Sequence, residues 1–87
     1  MSKTITKFYG NGCMNCKAIA PILDGIKGEY PDIAFKDVNT SDDDDKTKKY
    51  GIQSIPTLVF EKDDVEVGRL VGLKPKSLIV KKIAEVF

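Results

Sequence analysis

The sequence predicts an α/β fold in which one mixed four-stranded sheet carries three helices on its two faces. Two observations predict it: four short runs are rich in β-branched and aromatic residues, and three other stretches carry helix signals. Two of these stretches repeat apolar residues at helical spacing, and the third has a capping residue and charges matched to the helix dipole. The predicted order is β-α-β-α-β-β-α, with a right-handed parallel β-α-β unit first and an antiparallel hairpin later. At 87 residues we expect a single domain over residues 1–87.

The first strand and the first helix meet at a glycine-containing turn. Residues 4–9 are typical of a strand, and Gly10-Asn11-Gly12 closes it. From Cys13 onward the spacing becomes helical, and Gly28 is expected to end the helix. The buried face of this helix is predicted to carry Cys16, Ile19, Ala20, Leu23 and Ile26.

A second strand is predicted at residues 33–38, and a short helix follows it. Ser41 is expected to cap this helix, with the aspartates at 42–44 at the positive end of its dipole and Gly51 after its last turn. The aspartate run lacks the alternating ligands and the closing glutamate of an EF-hand. It therefore indicates a charged helix start rather than a calcium loop.

The last three elements are a hairpin and a helix. Strands are predicted at residues 57–61 and 65–70, joined across residues 62–64. The final helix is expected to begin near Pro75. Its inner face is predicted to carry Leu78, Ile79, Ile83 and Val86, and its lysines at 74, 76, 81 and 82 are expected to face solvent.

Composition excludes several functions. Fourteen Lys and Arg against thirteen Asp and Glu leave a net charge of +1, which does not favour a nucleic acid or an acidic membrane as partner. The chain has no histidine, which excludes Cys–His and Ser–His nucleophile pairs. The first residues lack the apolar stretch of a signal peptide, so we expect a cytoplasmic location.

The reactive inventory is one Cys-x-x-Cys, at Cys13 and Cys16, placed where the first strand leads into the first helix. Free N–H groups and the helix dipole favour a thiolate at Cys13. Cys16, one turn later and deeper, is expected to remain a thiol until it is needed. Cys13 would attack a disulfide, and Cys16 would then attack Cys13 to release the reduced product.

Other functions of such a pair must be weighed. It could be half of a zinc site, a structural disulfide or a chance spacing, although four-thiolate zinc needs more ligands than one chain supplies. A Cu(I) carrier also places two cysteines between a first strand and a first helix. Such carriers usually have a methionine where this chain has Asn11, and they end on a strand rather than a helix.

Further segments carry a more specific signal. Residues 16–24 read CKAIAPILD, residues 50–57 read YGIQSIPT, and Val71-Gly72 follows the last predicted strand. In order and spacing these segments resemble the thioredoxin family over residues 5–87. The resemblance implies a thioredoxin fold and a thiol–disulfide oxidoreductase that acts on disulfide-containing proteins. It also implies no bound cofactor and no metal, a monomer, and a reductase as electron donor.

The resemblance also implies further site residues. Pro56 would follow a cis peptide bond and face Cys13, while the backbone of Ile55 would pair with an extended substrate segment. Gly72 would leave room for that substrate. The remaining substrate contacts are predicted at Gly12, Met14 and Asn15, which flank the cysteines.

The chain departs from the family pattern at several positions. Gly12 replaces a tryptophan, Met14-Asn15 replaces Gly-Pro, and Lys7 replaces a buried acid. If Lys7 points inward, its ammonium would favour a thiolate; its stem could instead extend to solvent. The chain also has the length of a glutaredoxin, so glutathione-dependent chemistry is an alternative. It lacks the Cys-Pro-Tyr-Cys, Thr-Val-Pro and acidic turn usual in glutaredoxins, which favours the reductant of protein disulfides.

Overall fold

The computed structural model describes residues 2–87, and over these residues it contains four strands and three helices in the predicted order. The strands are β1 (Lys3–Tyr9), β2 (Ile33–Asn39), β3 (Thr57–Lys62) and β4 (Val65–Val71). The helices are α1 (Met14–Glu29), α2 (Asp44–Lys49) and α3 (Lys76–Val86). Within this range, no helix is both long enough and apolar enough to cross a membrane.

The four strands form one mixed sheet in the order β2-β1-β3-β4. β1 runs parallel to β2 and antiparallel to β3, and β3 runs antiparallel to β4. The predicted mixed sheet and its hairpin are therefore confirmed. Thr57 at the start of β3 lies opposite both Phe8 and Val71, so the end of β1, the start of β3 and the end of β4 share one end of the sheet.

One face of the sheet carries most of the core, which we call the larger cluster. It joins strand residues such as Ile5 and Phe60 to residues of α1 and α3. Its buried members are Ile5, Ile19, Leu23, Ile26, Ile33, Leu58, Phe60, Ile79 and Ile83. Because α1 and α3 both bury apolar residues here, this cluster fixes the position of the helix that carries the cysteines.

The opposite face has a smaller cluster of Phe8, Val38 and Val59, covered by Tyr50 and Ile52 from the segment after α2. Polar contacts extend it. The Tyr50 hydroxyl donates to Glu61 Oε2 at 2.8 Å. The Arg69 guanidinium donates to both carboxylate oxygens of Glu66 and, at 2.9 Å, to the Tyr50 carbonyl. The hydrogen bond from Arg69 lowers the pKa of Glu66 below its usual value.

α1 buries Cys16, Ile19, Leu23 and Ile26, which confirms the predicted face. The expected end at Gly28 was wrong, because the helix continues to Glu29. The Tyr30 N–H bonds to the carbonyls of Ile26 and Lys27, so backbone groups at the helix end are satisfied without a glycine in the left-handed conformation.

The short helix α2 begins later than predicted. Ser41 does not cap it; its N–H donates to Asn39 Oδ1 in a turn that precedes the helix. The cap is Asp43, whose Oδ1 accepts a hydrogen bond from the Lys46 N–H at 3.1 Å. Gly51, at a φ of 62°, follows the last turn as predicted.

α3 begins at Lys76, with Pro75 in the extended capping position. Leu78 was predicted to face the core but is 44% exposed, because Ile79 and Ile83 occupy the buried stripe. Lys82 was predicted to face solvent. Instead its side chain lies over Gly68, where an added Cβ would come within 2.8 Å of Lys82 Cε. The lysine stem thus covers apolar surface.

The hairpin between β3 and β4 turns at Asp63 and Asp64, with φ values of 52° and 68°. It is tied to the start of β1. The Ser2 N–H donates to Asp63 Oδ1 and the Asp63 N–H donates to the Ser2 carbonyl, both at 2.8 Å. This end of the sheet is opposite to the end at which β1 leads towards the cysteines.

Candidate active site

Cys13 and Cys16 are joined by a disulfide at the N-terminus of α1, with their Cα atoms 5.2 Å apart. Cys13 is the residue that caps the helix, and its backbone is extended. Its Sγ accepts a hydrogen bond from the Cys16 N–H at 3.1 Å. A free N–H group of the first turn therefore points at this sulfur, an arrangement that favours negative charge there once the disulfide is reduced.

The two cysteines differ in exposure. Cys13 is half-buried, whereas Cys16 is only 5% exposed and lies on the same helix face as the core residue Ile19. A substrate disulfide can therefore approach the first sulfur more readily than the second. Because the pair is already bonded, the second sulfur needs no large rearrangement to reach the first.

A surface cavity surrounds the disulfide and brings together four of the predicted site residues: Lys7, Gly12, Cys13 and Cys16. We call it the cysteine cavity. Among residues 2–87 it is lined by Lys7, Tyr9, Gly10, Asn11, Gly12, Cys13, Cys16, Lys17 and Ala20. The predicted residues Ile55, Pro56 and Gly72 come from other loops at the same end of the sheet.

The loop before Cys13 is held in place by contacts that the sequence did not predict. The Asn39 side chain donates to Asn11 Oδ1 at 3.1 Å, which ties the loop to the end of β2. Gly10 approaches Ile55 so closely that an added Cβ would lie 2.6 Å from Ile55 Cδ1. Gly12 adopts a φ of +70°. The glycines and asparagines of this loop were the available signal, but their partners are distant in sequence.

The peptide bond between Ile55 and Pro56 is cis, as the resemblance implied. Pro56 is fully buried, and its carbonyl accepts a hydrogen bond from the Gly72 N–H at 2.7 Å. Gly72 adopts a φ of +89°, a conformation that favours glycine. The structure thus brings these three residues together, next to the end of β1. That Pro56 faces Cys13 stays a prediction.

The two residues between the cysteines point outwards. Met14 is 76% exposed, the largest exposed fraction among the large apolar side chains of residues 2–87, and Asn15 is also exposed. An exposed methionine beside a reactive sulfur is a flexible apolar surface suited to varied partners. Its role in substrate contact stays a prediction.

Lys7 takes the inward of the two orientations considered from the sequence. Its side chain is 14% exposed, and its Nζ lies 3.7 Å from Asp37 Oδ1 on the neighbouring strand. The same Nζ lies 5.3 Å from the centroid of the Tyr9 ring. Lys7 also lines a second cavity beneath α1, of about 30 Å³, which is large enough to hold water. Asp37 was not singled out from the sequence.

Comparison with known proteins agrees with this geometry. The family model described as thioredoxin matches residues 1–85. A thioredoxin of Chlamydia caviae is 37% identical over 76 residues, which cover 87% of this chain and 74% of that protein. The crystal structure of Fasciola hepatica thioredoxin superposes with a TM-score of 0.92 at 27% identity, covering 99% of this chain and 82% of its own. The crystal structure of oxidised mitochondrial thioredoxin 3 of Saccharomyces cerevisiae superposes with a TM-score of 0.90 at 27% identity. The superposition covers 97% of this chain and 78% of that one.

Proposed function

The chain belongs to the thioredoxin family and is a thiol–disulfide oxidoreductase of the Cys-x-x-Cys type, and from this premise we propose that it reduces protein disulfides through Cys13 and Cys16. The observation that carries the proposal is the unequal exposure of two bonded sulfurs at a helix N-terminus. The relatives favour this function over the glutaredoxin-like and Cu(I)-carrier alternatives.

The first step is an attack by the Cys13 thiolate on one sulfur of a substrate disulfide. A bond forms between Cys13 Sγ and that sulfur, the substrate S–S bond breaks, and the leaving sulfur departs as a thiolate that takes up a proton. The N–H of Cys16, which points at Cys13 Sγ, favours the attacking thiolate.

The second step is an attack by Cys16 on the mixed disulfide. Cys16 loses its proton and bonds to Cys13 Sγ, and the bond between Cys13 Sγ and the substrate sulfur breaks. That sulfur departs as a thiolate and takes up a proton. The substrate gains two electrons and becomes a dithiol, while the Cys13–Cys16 pair becomes the disulfide. Burial protects Cys16 from competing partners, because only 5% of it is exposed.

The substrate would dock on the surface around Cys13. Gly12, Met14 and Asn15 would contact it on one side, and the Ile55 backbone with the Pro56–Gly72 contact would shape the other. An extended substrate segment paired through its backbone would give broad specificity, since side-chain identity matters little in such pairing.

The finer assignments complete the proposal. The chain would act as a monomer in a reducing compartment, the cytoplasm, where a separate reductase returns two electrons to the disulfide. No bound cofactor is needed for either step, because each is an exchange among sulfurs.

The same substitution at two positions tests the mechanism. Cys13→Ser should abolish reduction of a disulfide-linked protein by a dithiol donor, because the attacking sulfur is gone. Cys16→Ser should also stop turnover but should accumulate a mixed disulfide with the substrate, visible as an added mass on a non-reducing gel. Turnover by the Cys13 variant, or a Cys16 variant that traps no substrate, would contradict the proposed roles.

A further inference from the structure

Lys7 borders two cavities, and both cavities are also bordered by Ala20 of the active-site helix α1. They are the cysteine cavity and the small cavity beneath α1. Cys16 and Ala20 lie four residues apart and so share one helix face. The Lys7 side chain therefore passes under the turn of α1 that carries the buried cysteine.

Two contacts hold the Lys7 ammonium there. The Asp37 carboxylate lies 3.7 Å away, on the strand residue directly paired with Lys7, and the Tyr9 ring lies below it at 5.3 Å. The lysine side chain is 14% exposed, but that of Asp37 is 56% exposed. The cation is thus on the protein side of the pair, and the anion is on the solvent side.

We propose that Asp37 is a positioning residue for the redox reaction: it holds the Lys7 ammonium beside the cysteine cavity, offsets part of its charge, and so sets the ionisation of the reduced thiols. This inference rests on the proposed function of the same site and adds to it the residue that controls its electrostatics. Asp37 acts through Lys7, since the residues among 2–87 that line the cysteine cavity include Lys7 and not Asp37.

The position of each charge predicts the direction in which it shifts the thiol pKa. A cation near a thiol favours the thiolate, so Lys7 lowers the thiol pKa and makes the disulfide easier to reduce. Asp37 offsets that charge and raises the thiol pKa. The other charged or titratable groups facing the two cavities are Lys17, Asp24, Lys27 and Tyr9, with Lys36 from β2.

The chain offers a matched control pair. Lys3 and Asp32 form a second ion pair between β1 and the residue before β2, with Nζ and Oδ2 3.1 Å apart. Lys3 is at the end of β1 far from the cysteines, four residues before Lys7 and so about 13 Å from it along the strand. Neutralising Lys3 or Asp32 changes the net charge by the same amount without touching the cysteine cavity.

The experiment measures the ionisation constant of the reduced thiols from thiolate absorbance against pH, with no substrate present. Lys7→Gln should lower this constant about tenfold, which is one unit of pKa, and Asp37→Asn should raise it about threefold. In the Lys7→Gln background, Asp37→Asn should have less than half of that effect. Lys3→Gln and Asp32→Asn should leave the constant unchanged.

Rescue variants separate a folding defect from a charge effect. Lys7→Arg and Asp37→Glu keep both charges and should stay within about twofold of the parent ionisation constant. The inference is overturned if Asp37→Asn lowers the constant or leaves it unchanged. It is also overturned if Asp37→Asn changes the ionisation constant equally in the parent and in Lys7→Gln. An equal change in the ionisation constant from Asp32→Asn would overturn it too. Because no substrate is involved, failure here is distinct from failure of the turnover and trapping experiments.

Discussion

The two faces of the sheet are stabilised in different ways. The face under α1 and α3 buries the larger cluster, whereas the face under Tyr50 and Ile52 buries three apolar side chains and depends on hydrogen bonds among Tyr50, Glu61, Glu66 and Arg69. A small chain has limited apolar surface to bury. Here most of it is placed on the face that positions the redox helix.

The difference has a consequence for function. Cys16 lies on the same face of α1 as members of the larger cluster, so its position depends on close packing. The smaller cluster on the opposite face includes Phe8, near the end of the strand that leads to the cysteines, but no residue of α1 among residues 2–87. We therefore expect damage to the larger cluster to affect stability and activity together, and damage to the opposite face to affect mainly stability.

The largest expected effect comes from comparing two phenylalanines, both 0% exposed, one in each cluster. Phe60→Ala should lower the free energy of unfolding by about 4–5 kcal/mol, and Phe8→Ala by about 3 kcal/mol, because the smaller cluster can collapse more easily around the cavity. Denaturant unfolding of the oxidised protein measures both. Equal losses, or a larger loss for Phe8→Ala, would contradict the comparison.

A smaller effect is expected from the polar network. The hydrogen bond to Glu61, followed by burial, raises the pKa of Tyr50 to about 12 from 10.0. A raised pKa contributes stability that is fully present below pH 10.0 and is lost as the pH rises to about 12. Tyr50→Phe should cost about 1.5 kcal/mol at neutral pH.

The control for Tyr50 is the pH profile itself. The difference in unfolding free energy between the parent and Tyr50→Phe should shrink as the pH rises through that window. The oxidised protein is used for both, so that thiol ionisation does not contribute. A difference that stays constant up to pH 12 would show that the hydroxyl does not couple to Glu61.

The smallest expected effect concerns two buried threonines on the face of the smaller cluster. Thr6 Oγ1 is buried with no hydrogen-bond partner among residues 2–87, while Thr57 Oγ1 donates to the Ser54 carbonyl at 2.6 Å. Thr6→Val should raise the unfolding free energy by about 1 kcal/mol, and Thr57→Val should lower it by about 1 kcal/mol. Thermal unfolding detects both changes. If both substitutions changed the unfolding free energy in the same direction, the different hydrogen bonding of the two threonines would be refuted.

The strands and helices could be predicted from the sequence because each has a strong local signal. The β-branched and aromatic residues of β1 and β3 lie in strands with buried positions, and the spacing from Cys16 to Ile26 corresponds to a buried helix face. The hairpin was placed one residue off, since Lys62 continues the strand and only Asp63 and Asp64 form the turn. The Cys-x-x-Cys and its place at a helix N-terminus were equally local.

Errors arose where the deciding partner is distant or competes locally. Ser41 resembles a helix cap, but its N–H donates to the Asn39 side chain. The residue that caps the helix is Asp43, two residues after the predicted cap. Lys82 resembles a solvent-facing lysine, but Gly68 on the neighbouring strand β4 leaves the space that its stem covers. The ion pair between Asp37 and Lys7 depends on the register of the parallel strands β1 and β2. No local pattern in either strand indicates that register.

The reciprocal hydrogen bonds between Ser2 and Asp63 have a practical use. They fix the beginning of β1 at the sheet end remote from the redox pair. A tether attached ahead of Ser2 would hold the protein on a bead or an electrode with its disulfide directed away from the support. Immobilised in that orientation, the protein would still offer Cys13 and Met14 to partners in the bathing solution.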